Sequence, residues 1–386
     1  MKHLLVLLFF SLSVYSQKNT EAFASTSLNE TREISITLPP NYQTNTSKEY
    51  PLLVLLDGEY LYDPFYGAIS YGTYWDDLPE TIIVAIKQGN SDQREKDCGF
   101  NPMDGLPTAR ATAFFNFINY ELLPYIDKKY RTAPFRIIAG HDTTAGFLNA
   151  FLYKESPIFN AYIALSPELA PETENYVVDK LKNLKQPLFY YQALASGDVN
   201  RIKDPVIRLD EKLKKIDSPQ LNYKLDQFTA SHYAVVLYAI PNALYHIFDV
   251  YKPISSVEFS EKIVTLEQGY TDYLVTKYDV ITNKLGLKVP VRVNDFKAIE
   301  AAILKNKAYG ELDQLSQIAD KNYPKAMLAR YELGLMYEKM GELKKAAKKY
   351  QSASQLDPIG GLTKDMMINK YYDLINQKES NGKDKN

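Results

Sequence analysis

Between about residues 31 and 250, short apolar runs alternate with longer amphipathic stretches. Arg32-Glu33-Ile34-Ser35-Ile36-Thr37-Leu38 alternates with period two and stops at Pro39-Pro40, which predicts a half-exposed strand. Leu52-Leu53-Val54-Leu55-Leu56 is continuously apolar and ends at Asp57-Gly58, the pattern of a strand buried on both faces that runs into a turn. Residues 81–86, 135–140, 161–165 and 187–191 have the same character, and 221–228 reads as the last strand. Residues 111–125 carry Phe114, Phe115, Phe117, Ile118, Leu122 and Leu123 at near-helical spacing. A helix rich in Phe147, Leu148, Phe151 and Leu152 follows Gly140, and another is expected over 234–250. Strands alternating with helices predict an α/β unit with a mainly parallel sheet covered on both faces.

After Pro253 the strand signal ends and helical periods run from 257 to 377, before a polar tail. Leu333-Gly334, Tyr337, Gly341, Ala346, Tyr350, Ala353 and Pro358 fall at the spacing of one tetratricopeptide repeat. Small residues stand where its two helices would touch, and Pro closes it. A weaker half-repeat spans 310–324 with Ala319 and Tyr323-Pro324, and a helix over 363–377 would cap the stack. Stacked helix pairs leave a groove for a segment of another protein. A protein partner is therefore expected on the face around Tyr337 and Tyr350. The expected layout is a leader at 1–16, an α/β domain at 17–254 and an all-α domain at 255–386.

The leader comes from Met1-Lys2-His3, the apolar run 4–10 and the small residues before Gln17. This reads as a secretory signal cut after Ser16, so an exported protein at the periplasm or cell surface is expected, with no later membrane span. Hydrophobic residues at 45% and charged residues at 24% fit a folded protein with a sizeable core. Lys plus Arg is 45 against 47 Asp plus Glu, for a net charge of −2, which gives no basic footprint for nucleic acid. The single cysteine, Cys98, rules out an internal disulfide and a Cys-based zinc site, and is expected as a buried thiol. Only four His are present, so no His-rich metal centre and no cofactor are expected.

In a doubly wound sheet, sites lie beyond the carboxyl ends of the strands. Those ends carry Gly140-His141-Asp142-Thr143-Thr144-Ala145-Gly146, then Ser196-Gly197-Asp198, then Ser231-His232-Tyr233. A nucleophile position, an acid and a His in that order match the α/β-hydrolase arrangement. Glu30-Thr31-Arg32-Glu33-Ile34-Ser35-Ile36-Thr37-Leu38-Pro39 and Tyr50-Pro51-Leu52-Leu53-Val54-Leu55-Leu56-Asp57-Gly58-Glu59 resemble the opening strands of the putative esterase family. That family includes enterochelin-type and S-formylglutathione-type hydrolases. Glu121-Leu122-Leu123-Pro124-Tyr125-Ile126-Asp127, Tyr130-Arg131 and Leu165-Ser166-Pro167 extend the likeness, which covers about 28–253. Members with appended tetratricopeptide-like helices suit the remainder of the chain. The resemblance implies an α/β-hydrolase-like fold and ester hydrolysis.

The elbow departs from the family pattern Gly-His-Ser-x-Gly-Gly. Asp142 stands in place of the nucleophilic Ser, and Thr144 in place of a Gly. Asp tolerates a strained backbone, whereas a β-branched Thr144 is expected to crowd the turn. Without a hydroxyl at residue 142 the usual acyl-enzyme cannot form. Asp142 could be a carboxylate nucleophile, as in haloalkane dehalogenases and epoxide hydrolases, with His232 activating water and Asp198 orienting the His. It could instead be a position without chemistry, or Thr143 or Ser166 could have taken over. No inserted cap domain is visible, and Asp204 and Asp226 compete with Asp198 for the acid's place.

Oxyanion donors are expected from the backbone N–H groups of Gly58 or Glu59 and of Thr143, where an ionised Asp142 would itself fill the hole. His141 is expected to be structural. Tyr60, Tyr62, Tyr66, Tyr71, Tyr74 and Trp75 are expected to pack along a long loop, with a pocket for a small ester or a ring-bearing, sugar-like ligand as the alternative. The sequence thus points to an exported esterase-family homologue without serine-esterase chemistry, acting as a protein-binding or assembly component. Its rival is a hydrolase that uses Asp142 with His232.

Overall fold

The computed structural model describes residues 18–89 and 91–383, so the expected leader lies outside the described residues. The apolar runs become strands β2 (Glu30–Thr37), β3 (Tyr50–Leu55), β4 (Ile82–Ile86), β5 (Thr132–His141), β6 (Ala161–Leu165), β7 (Leu188–Ala195) and β8 (Leu221–Phe228). A strand β1 (Lys18–Ser25) precedes them; its alternation of polar and small residues gives too weak an apolar signal to read locally. The sheet order is β1-β2-β4-β3-β5-β6-β7-β8. β2 pairs antiparallel with both β1 and β4, and all other pairs are parallel. Every residue of β3, β4, β6 and β7 is buried, as continuous apolar runs require under helices on both faces.

Helices α1 (Gly58–Tyr74), α2 (Ser91–Asp97), α3 (Ala109–Asn116), α4 (Leu123–Lys129), α5 (Thr143–Phe147), α6 (Thr173–Lys182), α7 (Asn200–Leu213) and α8 (Val235–Ile247) connect the strands. The helix expected over 111–125 is present, with a π-helical turn (Phe117–Leu122) between α3 and α4. The aromatic segment after Asp57 is not a loop but helix α1. Its apolar period is masked because Tyr residues occupy both faces and Pro64 sits inside it. Leu61, Tyr62, Phe65 and Ile69 form its buried face.

The sheet unit comprises residues up to 74 together with 79–247; the second unit comprises 75–78 and 248 onward. The expected junction at 254 therefore falls inside the second unit. Local contacts hold that stretch there: Ile254 N donates to Asp295 Oδ1 (2.8 Å), and the Arg292 guanidinium lies 4.4 Å from the Tyr251 ring centre.

The second unit is helical, with α9 (Ser256–Glu258), α10 (Tyr270–Leu285), α11 (Val293–Lys305), α12 (Glu311–Asn322), α13 (Leu328–Lys339), α14 (Leu343–Ala353) and α15 (Lys364–Lys383). α13 and α14 form a hairpin in which Gly334 faces the Tyr350 ring; a Cβ at Gly334 would lie 2.5 Å from Tyr350 Cε1. Ala346 and Ala353 are buried at the same contact. Tyr350 was expected on a binding face, but it is fully buried and its hydroxyl donates to Glu338 (2.5 Å), so it is a packing residue. Tyr337 remains half-buried, with Lys345 over its ring. Among the described residues, no helix is long and apolar enough to cross a membrane.

Candidate active site

The elbow forms where β5 meets α5. Asp142 adopts φ 60° and ψ −121°, a strained conformation costing on the order of 1–3 kcal/mol. Its N donates to Leu165 O (2.9 Å), and its carbonyl accepts from Gly146 N (3.0 Å) and Glu168 N (3.1 Å). The expectation that Thr144 crowds this turn is corrected. A Cβ on Gly140 would lie 2.7 Å from Thr144 Oγ1, so the missing side chain at Gly140 makes the room. The Thr144 hydroxyl then accepts from His141 N (2.9 Å) and donates to Asp57 Oδ2 (2.6 Å).

Asp198 is the acid that meets the histidine: its Oδ1 lies 2.6 Å from His232 Nδ1. Its Oδ2 accepts from Ala195 N and from Ser166 Oγ, both at 2.7 Å. Asp204 is exposed on α7, and Asp226 is taken up by Tyr191 and Lys224. Ser166, a candidate relocated nucleophile, is 0% exposed and committed to Asp198, so it cannot meet a substrate. Burial opposes charge on Asp198, but hydrogen bonds from His232, Ala195 and Ser166 outweigh it and hold its carboxyl below the usual range. The Asp198 hydrogen bond in turn raises His232 above its ordinary value, against burial and with help from Asp142. His232 Nε2 lies 3.8 Å from Asp142 Oδ1.

Sequence reasoning missed the groups on the other side of Asp142. Asp57, at φ 55° and 1% exposed, accepts from Arg94 Nε (2.6 Å) and Nη2 (3.2 Å) as well as from Thr144. Arg94 Nη2 also donates to His141 O (2.7 Å), and its Nη1 reaches 3.5 Å from Asp142 Oδ2. The Asp142 carboxylate thus stands between a guanidinium and an imidazole. His141 is structural as expected: Tyr60 OH bridges its Nδ1 (3.0 Å) and Asp57 Oδ2 (2.9 Å), while its Nε2 meets His232 O (3.1 Å). Burial, followed by the charge of His232, lowers the pKa of His141. The Asp57-Gly58 pair that ends the apolar run 52–56 was the local signal for this network. Arg94 sits in the polar run Ser91–Asp97, which by pattern is an ordinary solvated helix.

Of the expected oxyanion donors, Gly58 and Glu59 open α1 directly after Asp57, and Thr143 opens α5. Gly58 has no room for a side chain, since a Cβ would lie 2.8 Å from Ile86 O. The Glu59 carboxylate has a separate duty: Oε1 accepts from Gln88 N (2.7 Å) and Gly89 N (2.8 Å) and fixes the loop after β4. Thr143 Oγ1 lies 3.2 Å from Glu168 Oε2 and 3.4 Å from Asp142 Oδ2. Cys98 is buried, and burial pushes its thiol up, so it is inert.

A crystal structure of an uncharacterised protein from Capnocytophaga ochracea DSM 7271 is 29% identical to this chain, over 93% of it and 99% of its own length, with a TM-score of 0.84. An IroE-like serine hydrolase from Shewanella oneidensis is similar in fold at 22% identity, over 79% of this chain and 99% of its own, with a TM-score of 0.61. The BES protein from Bacillus cereus is similar in fold at 20% identity, over 63% and 98%, with a TM-score of 0.52. No curated protein sequence matches significantly. The sheet unit has an α/β-hydrolase-like fold, and residues 25–198 match the family described as Putative esterase.

Proposed function

We propose that this chain is an exported, esterase-like protein that does not cleave esters through a serine acyl-enzyme and serves as a binding or assembly component. The observation that carries this reading is the carboxylate of Asp142 held 3.8 Å from His232 Nε2 and 3.5 Å from Arg94 Nη1. A serine hydroxyl at this point would give its proton to the histidine and attack a carbonyl. A carboxylate has no hydroxyl proton to give, and here it fills the place between His232 and Arg94 where the serine oxygen would stand. The helical unit would supply the protein contact. The tetratricopeptide spacing, matched by the close Gly334–Tyr350 contact, supports a groove of that kind, with Tyr337 rather than Tyr350 on its accessible side.

A specific observation favours a second reading. The elbow strain is retained at Asp142, and His232 is fully oriented by Asp198, an expense that a site without chemistry does not require. In that reading Asp142 attacks an electrophilic carbon and expels the leaving group. Water activated by His232 then cleaves the enzyme ester.

One measurement separates the two. The chain from Gln17 is assayed on short-chain aryl esters, epoxides and haloalkanes beside Asp142→Ala, Asp142→Ser and His232→Ala. The binding reading expects background turnover in wild type and Asp142→Ala, and a gain of ester cleavage in Asp142→Ser because Thr144 leaves the elbow intact. Wild-type turnover abolished by both Asp142→Ala and His232→Ala would establish the carboxylate-nucleophile reading instead.

A further inference from the structure

The C-terminal end of α1 forms one wall of a cleft of about 300 Å³ whose other walls are the Pro39-Pro40 turn and the start of β4. The carboxylate site lies at the opposite end of α1, beside Asp57 and Tyr60. At a rise of ~1.5 Å per residue, Tyr66 and Tyr74 lie about 9 Å and about 21 Å along the axis from Tyr60. No residue lining the cleft takes part in the Asp142 network, so the two are separate sites.

Along α1, Tyr66, Ser70 and Tyr74 fall at i, i+4 and i+8, so one helix face presents two rings and a hydroxyl together to the cleft. The Tyr66 ring is a rigid platform. It stacks on Tyr62 at 5.7 Å and an interplanar angle of 8°, and Lys18 Nζ sits 3.6 Å from the Tyr62 ring centre on that same stack. Tyr66 nevertheless stays 37% exposed and lines the cleft. Ser70 is exposed on the same face, whereas Thr73 Oγ1 is buried behind it and is out of a ligand's reach. Charge is already balanced: Glu80 accepts from Lys48 (2.6 Å) and Asn41 (2.9 Å), which leaves no unpaired ion to reward a charged ligand.

The geometry points to a second ligand site here, for a neutral saccharide of one or two rings. A sugar ring offers an apolar C–H face for the Tyr66 platform and hydroxyls for the exposed Ser70 and Asn41. A plain aromatic ring would match the platform but would strip water from those polar groups without pairing them, the condition that gives a hydrogen-bonding pocket its discrimination. The volume fits a disaccharide and is at the lower end of the usual range for small-molecule pockets.

The test is calorimetric titration of the protein with cellobiose, diacetylchitobiose, maltose and xylobiose, with phenol and glucose 6-phosphate as aromatic and anionic comparators. At least one disaccharide is expected to bind with a dissociation constant between about 10 μM and about 1 mM. Tyr66→Ala, and separately Ser70→Trp to plug the cleft, should each weaken it at least ~10-fold. Both positions are exposed, so the fold should survive either change. Asp142→Asn should leave the affinity unchanged. The inference is overturned if none of the four disaccharides binds, or if binding survives both cleft variants. It is equally overturned if binding is lost in Asp142→Asn, or if phenol or glucose 6-phosphate binds more tightly than every disaccharide.

Discussion

Arg94→Met removes the cation that compensates Asp57, and the structure allows the cost to be bracketed. Asp57 is 1% exposed, so its charge cannot be rescued by water, whereas the Arg94 side chain is 21% exposed. Removing one partner of a fully buried pair costs about 3–5 kcal/mol, most of it from the charge left behind. Asp57 would retain the hydroxyls of Tyr60 (2.9 Å) and Thr144 (2.6 Å), and the partly hydrated Arg94 contributes less than a fully buried one. A loss of about 2–3 kcal/mol follows. Adding Asp57→Asn removes the orphaned charge while keeping an acceptor for both hydroxyls, and Asn tolerates the φ of 55° at this residue. The double variant should therefore regain at least about 1 kcal/mol over Arg94→Met. Urea unfolding of the sheet unit gives the free energies, and amide exchange in β3 and β5 localises the change. The reasoning is refuted if Arg94→Met lies within about 0.5 kcal/mol of wild type, or if the double variant is less stable than the single.

Three further outcomes are expected. Because its Asp198 hydrogen bond raises the His232 pKa, the imidazolium's contribution to stability is full below 6.5 and lost as pH rises through the folded-state value. Asp198 is lowered, so its contribution is present above 3.8 and lost as pH falls through the folded-state value. The stability gap between wild type and His232→Gln should thus be widest between those two values and narrow at alkaline pH; a gap that grows with pH contradicts the assignment. Ser166→Ala should cost about 1–2 kcal/mol in urea unfolding by depriving Asp198 of a donor, and a fluorophosphonate should leave Ser166 unlabelled on mass spectrometry. Glu332, on α13, is fully buried with both carboxylate oxygens unpartnered; burial, and secondly the charge of Glu300, push its pKa up. A raised carboxyl pKa means stability is lost as pH rises through it, so Glu332→Leu should stabilise the helical unit by about 1–3 kcal/mol, and by more at higher pH. A destabilised Leu variant at pH 9 would count against the neutral buried acid.

Seven of the eight strands were legible because each has a local cause: a period of two where one face meets water, or an unbroken apolar run where neither does. The meeting of Asp142, Asp198 and His232 was legible for a related reason. Strands of a doubly wound sheet end at one edge, so Asp142, Asp198 and His232 meet whenever the strands before them are correctly counted. Strand β1 and helix α1 were not legible, since an exposed edge strand and a helix with Tyr on both faces carry little periodic contrast.

The sequence by itself determined the chemistry excluded at residue 142, because a carboxylate has no hydroxyl to deprotonate. What that carboxylate faces was decided only by tertiary structure. Arg94 reaches both Asp57 and Asp142 from a helix distant in sequence, and Gly140 opens the space that Thr144 fills. Tyr350 shows the same limit: its spacing marked a repeat, but whether its ring faced a partner or Gly334 depended on how closely two helices approach. Apolar periodicity is a property of neighbours along the chain. Charge pairing and close packing depend on distances between elements, which no local pattern encodes.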